Sequence, residues 1–383
     1  MNRQLNLRKG VTGSLWLFYI LIVFEILYMI SPFALYYYSF YAAPLNFLNS
    51  NPVTSVLIQH ILPHFTHHNS VIISILNYIC WPLIISGVLL FAYSFCQIYW
   101  AKFRRKGVVS GKLYTIIRHP QYVSLAMIGL GTTIYWPRFI VFIMFFAMLF
   151  LYYFLAKQEE RICQEKYGDS YKKYKEKTGM FLPKFIERTF TALPKILPES
   201  GYKRLIAFAT LFVLYIVIIF FSGLMIRDYS ISKLNAYKTD KGVVISVAPI
   251  MEDKIKKAVE IFFESEEIRT NSTYSDTKNF LIYVVPEGWS IPELGIKNSS
   301  GQNYFTNSET HGNLNNFNEN RLIVFITKPL IRTGLNEKEI SLKNISGFTP
   351  LYEALISIDQ NKLLSITERK NKGQWEGVPT PIF

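Results

Sequence analysis

Arg118-His119-Pro120-Gln121-Tyr122 brings a guanidinium, an imidazole and a phenol together within one short stretch. Glu159-Glu160-Arg161 adds adjacent carboxylates further along the chain. Arg118 is suited to pairing with a carboxylate, and His119 can donate or accept a hydrogen bond. Pro120 interrupts a helix and frees backbone groups that a polar ligand could satisfy. Two carboxylates at one site would bind a cation such as a sulfonium or an ammonium. On a helix Glu159 and Glu160 point about 100° apart, so only one of them faces a neighbouring helix squarely. Each island also has a plainer reading. The first would serve as an interfacial anchor, and the second as a solvated helix start flanked by Lys157 and Arg161.

The elements that must position these groups are apolar. Residues 10–101 contain one Asp, Glu, Lys or Arg, namely Glu25, and residues 119–156 contain only Arg138. No water-soluble domain leaves such lengths uncharged, because its outer faces need solvation. Crossing a bilayer takes about 20 apolar residues. A first span is therefore expected within 13–40 and a second within 71–100. Residues 121–156 are long enough for a hairpin of two helices, with Trp136-Pro137-Arg138 as its turn at an interface. Residues 157–184 read as an amphipathic helix lying against the membrane, with Ile162, Tyr167, Tyr171 and Tyr174 as its apolar positions. Residues 184–204 read as a basic linker, and the last span lies at about 205–226. The hairpin would return both polar islands to one membrane face.

Charge orients the chain. Lys102, Arg104, Arg105, Lys106, Lys112 and Arg118 follow the second span with no acid among them, whereas residues 41–70 carry no formal charge. Positive loops stay in the cytoplasm. The N-terminus and the 101–118 loop are thus cytoplasmic, and five crossings place the C-terminal part outside the cytoplasm. The formal net charge of +14 is explained by this retention and by contact with anionic lipid in the bilayer, so nucleic acid is not an expected partner. Cys80, Cys96 and Cys163 show no disulfide or zinc spacing.

The expected architecture is an α-helical integral membrane bundle of about five transmembrane helices over 1–226, a linker over 227–239, and a soluble α/β domain over 240–383. In that last domain Gly242–Ala248, Phe280–Val285 and Arg321–Lys328 read as strands. Glu252–Glu264 has helical spacing, and the Asn- and Ser-rich stretch 298–320 reads as a loop. No chemical motif stands out there.

Taken together, the islands resemble the membrane S-adenosylmethionine-dependent methyltransferases, the family of isoprenylcysteine carboxyl methyltransferases and phospholipid methyltransferases. The resemblance runs over about 75–185. It is carried by Ser110-Gly111-Lys112-Leu113-Tyr114, Arg118 to Tyr122, the hairpin, Glu159-Glu160, Tyr167 to Tyr174, and Phe181-Leu182-Pro183-Lys184. It implies that S-adenosylmethionine is held at the cytoplasmic face by Tyr114, His119, Pro120, Tyr122 and Glu159, with backbone groups near Gly107 to Val109 helping. Arg118 and Glu160 would be the catalytic pair that supports that shell. No metal is implied. The methyl acceptor would be a lipid or a lipid-attached amphiphile.

One departure bears on the acceptor. The prenylcysteine branch carries an Arg one helical turn before its cofactor Glu, where this chain has Leu155. That weakens the case for a carboxylate acceptor and leaves a phospholipid amine or another lipid-borne nucleophile open. A membrane reductase of sterol-reductase type using NADPH is the alternative enzyme, and the paired Glu residues suit a 2′-phosphate poorly. A non-catalytic anchor for an extracytoplasmic binding or sensor domain is the alternative without chemistry.

Other polar features have plain readings beside sharper ones. Gly129-Leu130-Gly131 suits close helix packing better than a cofactor loop. Glu25 is an intramembrane acid and so a functional candidate. His60, His64, His67 and His68 have helix-like spacing, but Pro63 interrupts them and no carboxylate is near. Tyr36-Tyr37-Tyr38 with Phe40 and Tyr41 reads as an interfacial belt.

Overall fold

The computed structural model describes residues 20, 23, 24, 27, 36, 42–63, 68–104, 111–190, 202–269, 279–288, 318–335, 341–369 and 379. Glu25, His64, His67, Gly107 to Val109, Ser110 and most of the tyrosine belt lie outside these residues.

Helices α1 (Ala42–Asn49), α2 (Val71–Phe103), α3 (Pro120–Tyr135), α4 (Phe139–Lys177), α5 (Lys184–Phe190) and α6 (Tyr202–Ser232) come first. Among the described residues, three helices are long and apolar enough to cross a membrane: Val71–Phe103, Phe139–Lys177 and Ile206–Ser232. The expected hairpin forms as α3 and α4. Pro120 opens α3, where a missing N–H costs nothing and the fixed φ already suits a helix. The helix expected over 157–184 is not a separate element. It continues α4 to Lys177 through a break at Gly168 (φ 52°, ψ −129°), a conformation that favours glycine. The expected linker after it begins instead as helix α5.

The described residues fall into two compact units. The first comprises Met1–Ser39, Leu83–Leu130 and Met144–Val213. Close helix contacts define it. A Cβ on Gly87 would lie 2.9 Å from the Ser124 carbonyl oxygen, and one on Gly129 would lie 2.9 Å from Phe145 and Met148. Gly129 is thus a packing residue. Phe150 packs against Phe208 and Phe212, with tilted rings at centroid distances of 5.3 and 5.1 Å.

The second unit comprises Phe40–Pro82, Gly131–Ile143 and Leu214–Phe383. Arg138, expected at an interface, is instead 1% exposed. Its guanidinium donates to the carbonyls of Ile58 (3.0 Å) and Pro379 (2.7 Å), which satisfies a group too costly to bury without partners. His60 is also buried, in an isolated bridge with Arg138, and its ring meets Trp136 edge-on at 6.2 Å. Among the described residues no group of three His, Cys, Asp or Glu side chains could hold a metal ion.

The C-terminal region carries a six-stranded sheet in the order β1-β2-β3-β4-β5-β6: Ala236–Lys238, Gly242–Ser246, Phe280–Pro286, Arg321–Ile331, Ile345–Ser357 and Lys362–Glu368. Among these strands only β2 and β3 pair in parallel, and helix α7 (Glu252–Glu264) lies between them in the chain. Residues 227–239 are the end of α6 and the first strand. Strand periodicity sorts β3 onto two faces. Phe280, Ile282 and Val284 join Ile255, Val259 and Phe262 of α7 in one core. Leu281, Tyr283 and Val285 face the other way, with Ile245, Phe325 and Phe348.

Candidate active site

All the residues of this site belong to the first unit. A short backbone ladder sets the Arg118 island against the end of α4. Gly179 donates from its N–H to the Ile116 carbonyl (3.2 Å), Arg118 to Gly179 (2.8 Å), and His119 to Met180 (3.1 Å). Gly179 permits this approach, because a Cβ there would lie 1.7 Å from the Leu182 carbonyl oxygen. Glu187 of α5 caps the turn by accepting from the Met180 N–H at 3.0 Å.

From this ladder Arg118 enters a buried ion pair. Its Nε lies 2.6 Å from Oε1 of Glu160, with the two side chains 4% and 2% exposed. Its Nη1 donates to the carbonyls of Lys175 and Thr178. Lys175 closes the other side, with Nζ 2.7 Å from Oε2 of Glu160. Two cations thus neutralise one buried carboxylate, the arrangement that offsets the desolvation cost of such a group.

Glu159 sits differently. Its side chain is 33% exposed. It accepts a hydrogen bond from the Tyr122 hydroxyl at 2.5 Å, and His119 Nδ1 lies 3.4 Å from its Oε2. His119 is therefore flanked by both acids, since its Nε2 is 3.7 Å from Oε1 of Glu160. Neither ring nitrogen reaches hydrogen-bond geometry. Burial alone would lower the pKa of His119, but the adjacent Glu159 and Glu160 raise it overall above its ordinary value.

The aromatic groups form a column. Tyr152 stacks on Tyr122 (4.8 Å between centroids), Tyr122 on His119 (5.8 Å), and His119 lies 5.9 Å from Phe181. Tyr114 is buried beside this column, and its hydroxyl donates to Gln121 Oε1 at 3.3 Å. Tyr174 holds the Tyr114 carbonyl at 2.7 Å. Burial pushes the Tyr114 phenol well up, so it stays a hydrogen-bond donor.

Arg118, His119, Tyr122, Glu159 and Glu160 are thus in mutual contact, while Pro120 serves as the first residue of α3. Tyr114 reaches them through Gln121. Lys175, Thr178 and Gly179 were missed from the sequence. Lys175 lies in a run of lysines, where nothing distinguishes it, and Gly179 follows the charged segment without a motif.

The arrangement can hold an organic cation. Glu159, a third exposed, offers negative charge at the edge of the cluster, and the Tyr122 hydroxyl holds its carboxylate. The donor set therefore fits S-adenosylmethionine, whose sulfonium is such a cation. No curated protein and no solved structure gives a match to the chain. Residues 71–170 match the family model of phospholipid methyltransferase, which suggests a membrane methyltransferase and bears out the resemblance over that segment.

Proposed function

We propose that the chain is an integral membrane S-adenosylmethionine-dependent methyltransferase acting on a lipid or a lipid-attached amphiphile. The observation that carries this reading is the division between the two acids. Glu160 is occupied by Arg118 and Lys175, whereas Glu159 has no ion pair with Lys or Arg among the described residues and its side chain is a third exposed beside Tyr122 and His119. The match to phospholipid methyltransferases over 71–170 supports it.

In this reading Tyr114, His119, Pro120, Tyr122 and Glu159 hold the cofactor, which supplies an electrophilic methyl group when bound. Glu159 sets the position of the cationic centre, and Tyr122 keeps that carboxylate in one rotamer through its hydroxyl. Arg118 and Glu160 act in catalysis by fixing the helix ends that carry this shell. Burial of Tyr114, Tyr122 and Glu160 keeps water from the reacting centre. Methyl transfer is a displacement, and it gains from alignment of nucleophile and leaving group.

The site faces the cytoplasm and the acceptor arrives laterally from the bilayer. Five helices cross the membrane within a domain over 1–226. Residues 227–239 lead to an extracytoplasmic domain over 240–383. Transfer of a labelled methyl group from S-adenosylmethionine to a membrane lipid extract tests the assignment. Wild type transfers label to a lipid fraction and Glu159→Gln does not. Equal labelling by both proteins would overturn the role given to Glu159.

A further inference from the structure

Outside residues 71–170, the second unit buries two hydrogen-bond donors from which nothing among the described residues accepts. Gln59 is fully buried, and its Oε1 accepts from Nη2 of Arg227 at 2.9 Å. Its Nε2 has no hydrogen-bond partner. The Nε of Arg332 is likewise buried without one, and its guanidinium has no ion pair among the described residues. A guanidinium keeps its charge in a protein. Burying such a donor without an acceptor is costly, so the two together call for an explanation.

Adjacent peptide units bring these groups to one place. The Lys343 carbonyl accepts from Nη2 of Arg227 at 2.9 Å, and the next carbonyl, of Asn344, accepts from the Arg332 N–H at 2.7 Å. The charge of Arg332 accordingly acts on Arg227. Asp228 also acts on Arg227, but Lys343 Nζ holds its carboxylate at 2.8 Å. The loop that carries Arg332 is fixed in place. Thr333 donates to the Asn49 carbonyl at 2.8 Å, and a Cβ on Gly334 would lie 2.8 Å from Pro52. Arg227 itself lies in the last turns of the apolar helix Ile206–Ser232. In a helix that crosses a bilayer, that is the level of the lipid headgroups.

We propose that Gln59, Arg227 and Arg332 form a binding site for a phosphate group where α6 meets the C-terminal sheet. Gln59 Nε2 and the guanidinium groups can only donate, so they select a ligand that accepts, and their charge selects an anion. Arg227 holds the Gln59 amide by its oxygen and so fixes where Nε2 points. A guanidinium matches phosphate oxygens with paired N–H groups, and phosphate has enough acceptors for donors from three side chains. Because the donors are ordered before anything binds, little is lost in arranging them. A lipid headgroup phosphate and free phosphate share this chemistry, and the level of Arg227 on its helix favours the headgroup.

Native mass spectrometry of the full chain in detergent tests this directly. Phosphatidic acid is the probe, and diacylglycerol with the same acyl chains is the probe without phosphate. Wild type should retain phosphatidic acid over diacylglycerol by roughly tenfold or more, the worth of a charge-assisted hydrogen bond. Arg332→Gln should cut that ratio about tenfold. Lys362→Gln, an equal loss of charge at the other end of the β4–β5 pair, should leave it unchanged. Gln59→Glu keeps the acceptor for Arg227 but removes the donor and adds a negative charge. It should hold or raise the thermal midpoint while bringing phosphatidic acid down to the level of diacylglycerol. A structural role alone would leave the lipid ratio of Arg332→Gln and Gln59→Glu at the wild-type value, and that result overturns the proposal. So does a wild type that retains both lipids equally. Inorganic phosphate added to the same samples separates the two sources. Displacement of phosphatidic acid supports a site open to free phosphate, and retention supports a site reserved for the lipid.

Discussion

Glu159 and Glu160 are adjacent in the chain yet have different partners: Glu160 lies between Arg118 and Lys175, and Glu159 bonds the Tyr122 hydroxyl at a third of full exposure. The angular step between neighbouring helical residues accounts for the split. One acid turns into the ion cluster, and the other turns to the aromatic column.

The two acids should therefore fail differently. Glu160→Gln leaves Arg118 buried without its counter-charge, and should lower stability by about 3–5 kcal/mol. Glu159→Gln should change stability by less than about 1 kcal/mol while abolishing cofactor binding, because its carboxylate is partly solvated. Denaturant unfolding in detergent, alongside ligand binding, separates the two. Equal destabilisation by both would contradict the division of roles.

Gly179→Ala should lower stability by roughly 1–3 kcal/mol, since its new methyl meets the Leu182 carbonyl and forces the backbone apart. Arg118 and His119 both bond to this turn, so cofactor affinity should fall as well. Gly111→Ala is the control, because nothing lies within 4 Å of a Cβ there. Thermal unfolding of the two variants provides the comparison.

His119 carries a pKa raised by Glu159 and Glu160 despite its burial. Its folded pKa exceeds the unfolded one, so its contribution to stability is complete below the unfolded pKa of about 6.5. That contribution fades as pH rises through the folded value. Relative to wild type, His119→Gln should thus be most destabilised at low pH, with the gap narrowing as pH increases. A gap that widens with pH would show the sign to be wrong.

In the C-terminal sheet, Phe262 of α7 is 1% exposed and packs with Val259, Ile282 and Val284 in one core. Phe262→Ala should cost about 3–5 kcal/mol by opening a cavity. Hydrogen exchange of the β3 amides should accelerate accordingly. Unchanged protection across Phe280–Pro286 would show that α7 does not hold the sheet.

Much of this was legible because lipid imposes a simple rule. Uncharged stretches mark helices, Pro120 marks where α3 starts, and Pro137 marks where it has stopped. The α7 bounds followed from the spacing of Ile255, Val259 and Phe262, and matched Glu252–Glu264. Strands β5 and β6 were not anticipated. Buried and exposed positions in Ile345–Ser357 do not alternate cleanly, since the pairing with β4 slips at two places. The continuation of α4 past residue 157 was hidden by its change from apolar to charged, which reads as a new element. Lys175 and Gly179 could not be read, because long-range pairing leaves no local pattern. The buried Arg138 looked interfacial, since its carbonyl partners Ile58 and Pro379 are remote in sequence.

The most direct test of the central claim is calorimetric titration of S-adenosylmethionine into detergent-purified protein, with NADPH as the competing ligand and His119→Ala as the site variant. Saturable binding of S-adenosylmethionine that His119→Ala removes, with no heat from NADPH, is the predicted result. Binding of NADPH in its place, or S-adenosylmethionine binding that persists unchanged in His119→Ala, would contradict it.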